Sequence, residues 1–196
     1  MPPMSESPFQ QAFVQQPMLE AADWLYQSSE RLALQLNYAA QAIIHSVTAG
    51  GRVLCAGEAE AQWLASQAAQ GLMRGVGRER PPLAAMHLQA PAHPDAPSLD
   101  QQVRAWGHPG DIWLAFSLER DEADLRAATA SARELDMTLV VFTGESAQTL
   151  GPLLRDTDVW VPLPCAHAGT LFAVAWLALD GLCHAVDTCL LGDAAG

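Results

Sequence analysis

The sequence predicts an α/β fold, a three-layer α/β/α sandwich around a parallel sheet, and three observations carry that prediction. A short apolar run, Val53-Leu54-Cys55, is bounded by Gly50-Gly51 and by Gly57 and leads into a helical pattern. Such a run fits a strand covered on both faces, with a glycine turn into the helix behind it. The same strand-then-helix unit recurs down the chain, and alternation of this kind gives parallel strands with right-handed crossovers. The chain closes on a long stretch, residues 170–191, that is apolar nearly all round and so reads as a helix buried in the core or at a subunit interface.

The elements follow in order. Residues 1–8 read as a loose tail, residues 9–192 as a single domain that includes an N-terminal helical arm, and residues 193–196 as a second tail. The arm is expected as one helix over 9–26, broken near Pro17, and a second that Ser28 or Ser29 caps and that runs to about Val47. Phe9, Phe13, Met18, Trp24, Leu25 and Tyr26 give the arm more apolar surface than a lone helix should expose, so it packs on its own core or on another subunit. Strands are expected at 52–56, 83–88, 112–116, 137–142 and 159–161, which makes the sheet five-stranded. Helices are expected from about Ala59, then at 99–106, 121–135, 146–154 and 170–191, and residues 89–98 form a proline-rich loop.

Composition narrows the function. The chain has 196 residues, half of them hydrophobic, enough for one domain with a substantial core. The net charge is −12, and every basic residue is arginine. Such a chain is repelled by nucleic-acid phosphates, which argues against direct nucleic-acid binding and leaves a basic protein partner compatible. No uninterrupted apolar run is long enough to span a bilayer, and the N-terminus lacks the basic-then-apolar pattern of a signal peptide. Cys55, Cys165, Cys183 and Cys189 show no CxxC spacing, so the expectation is reduced thiols in a cytoplasmic protein with no membrane attachment.

Little in the residues themselves points to chemistry. Cys165 and His167 stand about four helical turns from Cys183 and His184 along one helix, too far to share a zinc ion. His45, His87, His93 and His108 are scattered. Ser117 has no GxSxG setting around it. The expectation is no metal and no cofactor. In an open α/β sheet a ligand sits at the carboxyl ends of the strands, so the Gly57 turn at the end of the first strand is the candidate for it.

Several stretches together resemble the SIS (sugar isomerase) domain family, in its branch of phosphoheptose isomerases and the DnaA initiator-associating protein DiaA. They are GGRVLCAG, LASQAAQGLMRG, RERPPLAAMHL, VRAWGHPGDIWLAFS, ARELDMTLVVFTG and LCHAVDTCLL, spread over residues 20–192. The resemblance implies a flavodoxin-like five-stranded sheet and a homotetramer, or at least a homodimer, with sites built between subunits.

The departures from the family pattern are as informative as the matches. Gly57 is kept in the first phosphate turn, but Glu58 stands where an asparagine is usual and Ala61 where a serine is. Glu58 and Glu60 bring carboxylates to the mouth of a phosphate site, each repelling a dianion by about 1 kcal/mol or more at partial burial. The second turn keeps Ser117 but continues Leu118-Glu119-Arg120-Asp121-Glu122. Arg120 either meets an anion there or stands solvated among the acids. The family's metal histidine falls at Gln67, its catalytic glutamate at Gly71, and the glutamine, glutamate and histidine of its last helix at Phe172, Ala173 and Ala175. Aldose–ketose isomerisation needs a base to take a proton from carbon and an acid to return it, and these positions carry neither.

The resemblance therefore implies a catalytically silent adaptor that binds a DnaA-type initiator. A phosphosugar-binding regulatory domain and an isomerase of sedoheptulose 7-phosphate with a rearranged site are the alternatives. An apolar pair that serves partner contact in the DnaA-associating relative aligns with Leu190-Leu191, which otherwise simply closes the last helix. Trp63, Phe172 and the acids near Glu58 and Glu119 are expected to crowd the old pocket.

Overall fold

The computed structural model describes residues 8–57, 59–77, 79–93, 95–119, 123–145, 149–163, 165 and 167–192. The elements run α1 (Pro8–Thr48), β1 (Val53–Gly57), α2 (Ala61–Arg74), β2 (Ala85–His87), α3 (Leu99–Trp106), β3 (Ile112–Ser117), α4 (Ala123–Glu134), β4 (Thr138–Gly144), β5 (Val159–Leu163) and α5 (Ala168–Leu191). The strands form one five-stranded parallel sheet in the order β2-β1-β3-β4-β5. β1, β3 and β4 are buried along nearly their whole length, as their unbroken apolar runs require.

Two cores sandwich the sheet. Val53, Cys55, Leu114, Phe116, Val140 and Phe142 face α1, α2 and α5. Leu54, Ala56, Trp113, Ala115, Leu139 and Val141 face α3 and α4. On the first face Phe116 and Phe142 stack with ring centroids 4.9 Å apart. On the second, Trp113 Nε1 donates to Thr129 Oγ1 at 3.0 Å, which gives a fully buried indole N–H its partner.

The arm differs from expectation. It is one continuous 41-residue helix with Pro17 inside it. Ser28 and Ser29 do not cap a second helix. Their hydroxyls donate back to the carbonyls of Trp24 (2.6 Å) and Tyr26 (3.1 Å), the habit of serines inside a helix. A proline in a helix interior costs about 3 kcal/mol. Packing of α1 on α5 offsets it: Leu32, Leu36, Ala39, Ala40 and Ile43 are buried, and Thr170 Oγ1 donates to the Pro17 carbonyl at 3.4 Å. The expected helix over 146–154 is also shorter, since the described residues hold only a 3-10 turn at Gly151–Leu153. The second strand contracts to three residues.

The polar residues of the quoted stretches prove to be joints between elements. In GHPGD, Asp111 is buried and accepts from the backbone N–H groups of Arg52 (2.9 Å) and His108 (3.0 Å). In RERPP, Arg80 Nε donates to Asp187 Oδ1 of α5 at 2.6 Å, with both side chains out of solvent, and Asp187 Oδ2 accepts from the Val76 N–H at 2.5 Å. α5 is the one helix among the described residues long and apolar enough to cross a membrane by length and composition, although the sequence was expected to hold no apolar run of that length. Half of that stretch is buried in the fold, against α1 and α2.

Candidate functional site

In an open parallel sheet the strand order reverses where successive connections leave in opposite directions, and the crevice there is the ligand position. Here that point lies between β1 and β3, because β2 lies to one side of β1 and β3 to the other. Gly57 ends β1 opposite Phe116, and Ser117 ends β3 opposite Thr143. The fold thus brings Gly57 and Ser117 together at the carboxyl edge, and both are buried.

The strand-to-helix turn is tight. A Cβ on Gly57 would stand 2.5 Å from the Ala61 carbonyl oxygen, so only glycine lets β1 enter α2 this tightly. Ala59 takes φ of 47°, in the left-handed region that a side chain resists. Glu60 holds the N-cap position of α2 without bonding any of its N–H groups and is exposed. Glu119, after β3, is exposed as well. Glu58, Arg120, Asp121 and Glu122 lie outside the described residues.

Three of the positions where the resemblance expects catalytic groups are taken up by packing. Gly71 is buried on α2, and a Cβ there would come 3.0 Å from Cys183 Sγ on α5. Ala175 is fully buried and Phe172 packs against the core. Gln67 is half-buried and Ala173 exposed. Trp63 is 49% exposed and lies against Trp176 of α5 with ring centroids 5.0 Å apart. The expectation that Trp63 crowds the old pocket is thus corrected: the first turn of α2 turns it outward, to cover α5. Among the described residues no three His, Cys, Asp or Glu side chains gather closely enough to hold a metal ion. Burial pushes the Cys183 thiol up to about 12 and Cys165 up to about 11, and raises Cys55 further still, so these are inert core thiols. The Leu190-Leu191 pair splits: Leu190 packs against the core and Leu191 is exposed at the end of α5.

One polar group at this edge had no signal in the sequence. His87 ends β2 opposite Cys55, and its Nε2 is buried with no partner among the described residues. Burial lowers its pKa below the ordinary 6.5. The neutral ring is favoured in the fold while the unfolded chain still takes up a proton near 6.5, so stability falls as pH drops through 6.5 toward the lowered value. Urea unfolding midpoints at several pH values are expected to show this loss, and His87→Leu to flatten it.

With the geometry described, similarity to known proteins can be placed on it. The family model described as SIS domain matches residues 18–144. The phosphoheptose isomerase of Methylibium petroleiphilum is 33% identical over 189 residues, spanning 92% of this chain and 94% of that protein. The DnaA initiator-associating protein DiaA of Salmonella paratyphi B is 29% identical over 174 residues, spanning 83% of this chain and 88% of that one. Among solved structures, a phosphoheptose isomerase from Francisella tularensis superposes with a TM-score of 0.82 at 21% identity, covering 91% of this chain and 98% of its own, a likeness of fold.

Proposed function

We propose that this chain, which belongs to the SIS domain family, is a catalytically silent, self-associating adaptor of the DiaA type whose partner is a DnaA-type initiator protein. The observation that carries the reading is the closed packing at Gly71. Helices α2 and α5 meet so tightly there that a Cβ added at Gly71 would come 3.0 Å from the Cys183 sulfur. Phe172 and Ala175 repeat the pattern on α5, since the core has taken over positions that proton transfer would need. Curated relatives named DiaA support the partner class.

Self-association, as a homotetramer, is supported by the first half of α1. Phe13, Val14, Met18, Leu19 and Tyr26 are each more than 60% exposed, large apolar side chains of the kind that a subunit contact would cover. Leu191 is the exposed member of the candidate partner pair. Leu191→Asp is expected to weaken capture of the initiator at least tenfold without changing the sedimentation coefficient.

The retained Gly57 and Ser117 favour a second reading, a phosphosugar-binding regulatory domain without turnover. One experiment separates the readings. The protein is titrated with sedoheptulose 7-phosphate, with and without zinc, and assayed for product and for capture of purified DnaA. The expected result is no turnover and saturable binding to DnaA. Sugar binding without turnover or DnaA capture favours the regulatory reading, and conversion of the sugar overturns both.

A further inference from the structure

A cavity of about 700 Å³ lies at the opposite end of the molecule from Gly57 and Ser117. Its walls are the second half of α1 and the amino ends of β4 and β5. That volume falls in the range of small-molecule pockets. The two ends of the sheet differ electrostatically for a reason built into the fold. At the carboxyl edge a helix begins, and its free N–H groups favour anions. At the amino edge α1 ends, and the carbonyls of its last turn carry the negative end of the helix dipole.

The lining accentuates this difference. Asp156 is exposed in the turn before β5, and Asp158 follows two residues on. Among the described residues no arginine lines the cavity; the neighbouring Arg155 turns its guanidinium onto Asp158 and the Met137 carbonyl. Gln35 contributes an Oε1 that is buried and has no hydrogen-bond partner among the described residues, and Tyr38, half-exposed, adds an aromatic wall.

We infer that this cavity is a second ligand site, for a compact organic cation bearing N–H donors, a guanidinium or a primary ammonium group. Asp156 supplies the charge, Gln35 an acceptor, and Tyr38 a face on which a cation can rest. A phosphate ester is excluded by the same groups. The site is separate from the carboxyl-edge cleft, at the other end of the strands.

The test uses the full chain with agmatine as probe and inorganic phosphate as control, read by calorimetry and by a crystal soaked with agmatine. The expected result is saturable agmatine binding in this cavity, weakened about tenfold or more by Asp156→Asn and several-fold by Gln35→Met, with unfolding temperatures unchanged. Phosphate should neither bind there nor compete. The inference is overturned if no saturable binding is seen up to about 10 mM, the regime of negligible affinity. It is equally overturned if Asp156→Asn leaves the affinity unchanged, if phosphate displaces agmatine, or if the crystal shows a second copy of the chain filling the cavity.

Discussion

Asp187→Ala is expected to destabilise the protein by about 3–5 kcal/mol, the usual consequence of removing one partner from a buried ion pair. Arg80 and Asp187 are 1% and 2% exposed, and their contact is 2.6 Å. Without the carboxylate, the guanidinium keeps only the carbonyls of Pro81 (3.1 Å) and Gly71 (3.5 Å), and the Val76 N–H loses its acceptor. Arg80→Ala should be similarly damaging for the opposite reason, a buried carboxylate left without its cation. The double replacement Arg80→Met with Asp187→Leu should recover most of the loss, because two apolar side chains of similar volume need no partner. Urea unfolding of the three variants measures this. If either single replacement changes stability by less than about 1 kcal/mol, the pair does not hold α5 to the segment between α2 and β2.

Gly144→Ala is expected to be the most damaging methyl addition in the sheet, about 3 kcal/mol or more, with loss of soluble protein as the alternative readout. The added Cβ would lie 1.8 Å from the Leu118 carbonyl oxygen and 2.9 Å from Leu171 Cδ2. The first neighbour is backbone and has no rotamer to change, so the chain leaving β3 would have to move off the end of β4. Gly110→Ala is the control. A Cβ there meets nothing within 4 Å, but φ is 86°, so only the conformational term of about 1 kcal/mol remains. Thermal unfolding of the two variants separates steric from conformational strain, and equal losses would refute the argument.

The candidate site was partly legible in advance. Gly57 could be read because the end of the first strand follows from its apolar run and glycine boundary, and a parallel sheet places its ligands at such ends, whereas Ser117 came from the resemblance to the family's second phosphate turn. His87 could not be, because a lone histidine in a short strand gives no sign of whether its ring nitrogen finds a partner. Trp63 misled for a related reason. Proximity to the turn in sequence says nothing about which way a first-turn side chain points, and this one covers Trp176. The arm failed at Pro17 and Ser28 because proline and serine signals are local preferences of about 1–3 kcal/mol, and burial of α1 on α5 outweighs them.

By itself the sequence determined the strand–helix alternation and the parallel sheet, since each is written in period and spacing. Tertiary structure alone decided that Arg80 meets Asp187, that Cys183 closes the space beside Gly71, and that a cavity opens at the amino edge. These are contacts between segments far apart in the chain. Their distances depend on how two helices settle on a sheet, and no local pattern encodes an ångström-scale fit of that kind.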